Sequence, residues 1–98
     1  MPPKRFLVHL AQSIDKAKIR KMCELMELSN EETTIVLSRY CDGLNIDQIA
    51  SNPFNISPDR QRRLLPIIES KIMSWIMDNF EFFNDRQVNL LHRWISPE

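Results

Sequence analysis

At 98 residues the chain is long enough for one domain with a modest core, and 43% hydrophobic against 27% charged residues marks it as folded rather than disordered. A net charge of zero argues against tight, non-specific nucleic-acid binding by a monomer, because that affinity comes from phosphate neutralisation. The charge is nevertheless segmented: residues 1–21 are basic apart from Asp15, residues 22–50 acidic apart from Arg39, residues 51–71 weakly basic and residues 72–98 weakly acidic.

The single glycine, and a supply of Leu, Ile and Met without strand-like alternation, favour helices throughout. Pro2 and Pro3 keep the first residues out of a helix, after which Phe6, Leu7, Leu10, Ala11 and Ile14 form an apolar helical stripe. Asp15 is a cap for a second helix, Lys16 to Leu28, although the two could run on as one because no proline or glycine separates them. Ser29 with Glu32 makes a capping box for a helix over Asn30 to Cys41, which buries Ile35, Val36 and Tyr40 and ends at Gly43, where a left-handed residue is needed. Asn45 with Gln48 makes a second box for a short helix that Pro53 prevents from continuing.

Ser57-Pro58-Asp59 is the strongest boundary: a serine cap, a proline at the first helical position and an acid in the first turn all favour the same start. The helix that follows carries Leu64, Leu65, Ile68, Ile72, Trp75 and Ile76 on one side and Arg60, Gln61, Arg62 and Arg63 in its first turns. Pro66 either kinks this helix or divides it. Asn84-Asp85 is a turn and cap before a last amphipathic helix built on Val88, Leu90, Leu91, Trp94 and Ile95. The expected fold is all-α: a compact single-domain bundle of five to seven helices over residues 1–98, with a central helix-turn-helix.

The run Arg39-Tyr40-Cys41-Asp42-Gly43-Leu44, continued by Gln48-Ile49-Ala50 and by Ile56-Ser57, resembles region 4 of bacterial sigma factors and the related helix-turn-helix domains of phage-type transcription activators. The resemblance covers roughly residues 28–75 and implies that Leu44, Ile49 and Ile56 pin a short helix against a recognition helix beginning at Ser57. Three features depart from the family pattern. Five residues, Ser51 to Asn55, stand where the family usually has four, Gln61 falls where it prefers a buried valine, and Pro66 interrupts a helix that usually runs smoothly.

On this reading the chain is a DNA-binding transcription regulator, in a bacterial or phage-like setting that the resemblance alone implies. Ser57 fixes the recognition helix, and Arg60, Gln61, Arg62 and Arg63 are candidate contacts, since arginine pairs with guanine or phosphate and glutamine reads adenine. Lys16, Lys18, Arg20 and Lys21 form a second basic cluster, either backbone contacts or an exposed helix face that neighbouring acids neutralise. The expected partners are double-stranded DNA and RNA polymerase, with a homodimer whose interface is sought in the C-terminal helical extension, residues 76–98. The alternative is a helical interaction module that binds RNA polymerase or another regulator without touching DNA.

Other classes fit poorly. Asp42 and Asp47 lack a histidine, nucleophile or phosphate-binding loop beside them, and His9 and His92 are lone histidines on apolar stripes, so the expectation is a non-enzyme without cofactor or metal. Cys23 and Cys41 lack the spacing of a zinc site and read as small buried thiols in a reducing cytoplasm. No run has membrane-spanning length and the N-terminus does not read as a signal peptide, so the expected location is cytoplasmic.

Overall fold

The computed structural model describes the backbone of residues 3–95 and the side chains of residues 7–93; the side chains of Phe6, Trp94 and Ile95 lie outside the described residues. Six α-helices are arranged as α1 (Pro3–Ser13), α2 (Lys16–Leu25), α3 (Asn30–Val36), α4 (Ile46–Ala50), α5 (Pro58–Asp78) and α6 (Asp85–Ile95). A π-helical turn (Leu37–Cys41) extends α3, a 3-10 turn (Phe80–Phe82) precedes α6, and no strand occurs among the described residues.

The capping residues settle where helices begin. Asp15 is extended and accepts the Lys18 backbone N–H, so α1 and α2 are two helices rather than one. Ser29 with Glu32, Asn45 with Gln48, and Asn84 with Gln87 each exchange reciprocal side-chain to backbone bonds. Ser57 accepts the Arg60 N–H and Pro58 follows at the first helical position, opening a helix of 21 residues. At about 1.5 Å per residue α5 is roughly 31 Å long, most of the molecule's longest dimension of 38 Å.

Helix ends are less regular than the sequence indicates. α2 stops at Leu25 rather than Leu28, because Glu27 adopts φ 58° and turns the Leu28 N–H back to the Cys23 carbonyl. After Val36 the ladder widens, and the Asp42 N–H reaches the Leu37 carbonyl five residues back. Gly43, at φ 73°, then reverses the chain and lets the Leu44 N–H bond the Ser38 carbonyl. Pro66 lies inside an uninterrupted α5. Its missing N–H removes one bond from the ladder, and its exposed ring displaces no core side chain.

One core joins these elements. Leu7 and Leu10 from α1 and Ile14 just after it meet Ile19, Met22 and Cys23 from α2, Ile35, Val36 and Leu37 from α3 and its extension, and Ile68, Ile72 and Ile76 from α5. Each fully buried aliphatic side chain contributes about 1.5–3 kcal/mol of transfer free energy. Ile49 and Ile56 are buried, Leu44 is half-buried against the same core, and the Ile56 N–H bonds the Ile49 carbonyl. The aromatic C-terminal stretch is largely inward-facing: Phe83 and Leu91 are buried, while Trp75, Phe80, Phe82 and Val88 are half-buried against the core.

Candidate nucleic-acid interface

The four residues after Asp59 divide sharply once they are placed on α5. A helix turns by about 100° per residue, so Gln61 faces inward while Arg60, Arg62 and Arg63 face outward. Gln61 is 0% exposed and its amide nitrogen donates to the Ile56 carbonyl at 2.7 Å and the Ile46 carbonyl at 3.0 Å. It therefore ties the start of α4 and the turn before Ser57 to the first turn of α5. Gln61 is not available to read a base, which corrects its place among the contacts.

The three arginines differ as well. The Arg60 Nε donates to a carboxylate oxygen of Glu31, in the first turn of α3, which clamps the start of α5 against the start of α3. Arg62 makes a looser 3.5 Å pair with Asp59 on its own helix. Arg63 is exposed, and among the described residues it has no side-chain partner. The hydroxyl of Ser57 is taken up as the helix cap, so its role is to fix the helix start.

Lys16, Lys18, Arg20 and Lys21 do not act as one surface. The Lys16 ammonium contacts both carboxylate oxygens of Asp42, at 2.8 and 3.1 Å, and so joins α2 to the Gly43 turn. Lys18 points inward, donating to Gln87 at 3.1 Å and lying over the rings of Phe82 and Phe83 at 5.2 and 5.7 Å. This corrects Lys18 from a phosphate contact to a structural cation between α2 and α6. Lys21 approaches Glu24 at 3.9 Å, and Arg20 remains exposed.

Arg39 is a residue that sequence reasoning left out of the site. It lines an open concavity of ≈ 320 Å³ with Tyr40, Ile46, Arg62 and Leu65. A second concavity of ≈ 280 Å³ shares Arg39 and Tyr40 and continues past Gly43 and Leu44 to Val8. Arg39 and Arg62 thus flank one mostly apolar floor. The Tyr40 hydroxyl donates to Glu69 at 2.8 Å, and burial, then that carboxylate, raise the phenol above its ordinary value of 10.0. The signal was present in the sequence, since Arg39 heads the matching run, but only folding sets it beside Arg62.

The two thiols lie near each other, with Arg20 close to both and Lys16 close to Cys41. Burial, reinforced by the neighbouring Cys41, pushes Cys23 up to about 11, and burial also raises Cys41. Among the described residues no helix is long and apolar enough to cross a membrane, and no group of three or more His, Cys, Asp or Glu side chains is placed to hold a metal ion. No family model matches this chain, nor does any curated protein or solved structure.

Proposed function

We propose that the chain is a sequence-specific DNA-binding transcription regulator of a bacterial or phage-like cytoplasm, with the first two turns of α5 as its contact surface. Arg62 and Arg63 are the leading contacts and Arg60 an outlying one, while Ser57 and Gln61 set the position of the helix. The observation that carries this reading is the pair of outward-facing arginines Arg62 and Arg63 at the start of a long helix whose origin is held by Ser57, Pro58 and the two bonds from Gln61. A helix N-terminus directs backbone N–H groups and the positive end of its dipole toward a phosphate, which adds to the arginine charge.

The test is selection of bound duplexes from a random pool by the purified protein at about 50 mM salt, followed by anisotropy titrations on the enriched sequence. The double variant Arg62→Ala plus Arg63→Ala should weaken binding by at least about tenfold and reduce the salt dependence by about one unit of slope per lost phosphate contact. Failure to enrich any sequence, or affinity indifferent to the double variant, refutes the proposal.

A second reading is favoured by one observation, the apolar-floored concavity between Arg39 and Arg62. Its lining is mostly apolar and includes Glu69, so it suits an apolar protein segment better than a phosphate backbone. On that reading the chain docks on RNA polymerase or another regulator, and Arg39→Glu abolishes its effect on transcription without altering any DNA affinity.

A further inference from the structure

α5 presents an outward face, along which Ser70, Ser74 and Asp78 line an open concavity of ≈ 510 Å³ walled on one side by Met26 from the turn after α2. Ile67 and Met77 are 49% and 55% exposed, two of the most exposed large hydrophobic side chains among the described residues. At about 100° per residue they fall on one stripe with Arg63, Ser70, Ser74 and Asp78, all of them exposed. The stripe is polarised. Arg63 stands at its N-terminal end and Asp78 at its C-terminal end, roughly 22 Å apart along the axis, and among the described residues neither has a side-chain partner.

We propose that this face binds a second copy of the same chain, with the two α5 helices antiparallel about a two-fold axis midway between residues 70 and 71. That register sets Arg63 of each copy beside Asp78 of the other and Ile67 of each opposite Ser74 of the other. A two-fold interface must be self-complementary, so that residue i meets j and j meets i. A face with a cation at one end and an anion at the other satisfies that condition at both ends, where each Arg63 meets an Asp78, and an unrelated partner would not require the reciprocity. The serines allow the helix axes to approach closely at the centre, and antiparallel packing also opposes the helix dipoles favourably.

One helix face covers less than the roughly 800 Å² per partner of a stable complex, so the dimer is weak and forms only at high protein concentration. The inference stands apart from the DNA reading. Where both hold, a duplex and a second copy compete for Arg63, and dimerisation withholds the recognition helix.

Sedimentation velocity on the purified chain, without DNA, from about 5 to 500 µM tests this, with circular dichroism confirming that each variant is folded. The expected mass rises from 11.6 kDa toward twice that value with concentration. Arg63→Asp and Asp78→Arg, each alone, should hold the protein monomeric, since each sets like charges face to face. Mixing the two variants, or combining both reversals in one chain, should restore the dimer. Both positions are exposed, so neither reversal disturbs the core. A monomeric mass throughout, a dimer unmoved by the single reversals, or no recovery on mixing overturns the proposal.

Discussion

Replacing Gln61 separates two effects that its burial combines. Gln61→Ala removes two donors, leaves the Ile56 carbonyl without the 2.7 Å bond it receives, and opens a cavity where four heavy atoms stood. Losing the two bonds costs about 1 kcal/mol each. Against this, the Gln61 Oε1 is itself buried without a partner, and deleting it recovers about 1–3 kcal/mol. The polar terms therefore nearly cancel, and what remains is volume, about 2–3 kcal/mol of lost transfer and cavity energy. Gln61→Ala should lower the unfolding free energy by that amount and the Tm by roughly 10–20 °C. Gln61→Met, which keeps the volume and removes both donors and orphan, should stay within about 1 kcal/mol of the parent. Urea unfolding followed by tryptophan fluorescence measures both. If Met is as destabilising as Ala, the two hydrogen bonds outweigh the orphan and the balance drawn above is wrong.

Three further predictions concern single groups. Gly43→Ala should cost about 1–2 kcal/mol, since φ is 73° and a Cβ there meets nothing within 4 Å; Gly43→Asn should cost less, and a larger loss in thermal unfolding would reveal a contact rather than a dihedral. Glu32 is held below the ordinary carboxyl value of 4.5 by the Ser29 backbone N–H first and by Lys71 second, against desolvation. Its folded value lies below its unfolded one, so its contribution is present above about pH 4.5 and is lost as the pH falls through the depressed value; Glu32→Gln should flatten that acid limb in denaturation midpoints measured from pH 6 down to 3, and an unchanged slope would contradict it. Tyr40 is the chain's single tyrosine, so phenolate absorbance should remain absent as the pH passes the ordinary value of 10.0 and emerge only with unfolding; a midpoint near 10 in the native protein would refute its burial against Glu69.

What was legible in the sequence was local. The boxes at Ser29/Glu32 and Asn45/Gln48 and the start at Ser57-Pro58 act within four residues, so side-chain chemistry alone specifies them. Gly43 was legible for the same reason: the next turn needs a left-handed residue and the chain has one glycine. The left-handed Glu27 was not, because nothing about a glutamate announces φ 58°. Nor was the π turn, which arises where Leu37 and Ser38 are both drawn into the core. Pro66 left open whether α5 is one helix or two, and packing along Ile68, Ile72 and Ile76 outweighs a single missing bond.

The candidate site was legible in the same limited way, and the charge pattern explains why. Blocks of like charge invite reading as charged surfaces, and the segments 1–21 and 51–71 are the two basic ones. In the fold those blocks largely meet the acidic segment 22–50 instead: Lys16 pairs with Asp42, Arg60 with Glu31 and Lys71 with Glu32. The exposed pairs Lys16–Asp42 and Arg60–Glu31 add only about 0.2–1 kcal/mol each, so their main effect is to commit cations that a phosphate would otherwise meet, while Lys71 is committed to the buried Glu32. Among the described residues Arg20, Arg39, Arg63, Arg86 and Arg93 make no ion pair, but on the first turns of α5 only Arg63 and the loosely held Arg62 are uncommitted. Few phosphate contacts mean a shallow salt dependence, so any useful affinity for DNA must come from base-edge contacts by the first turns of α5 rather than from the charge of the surface as a whole.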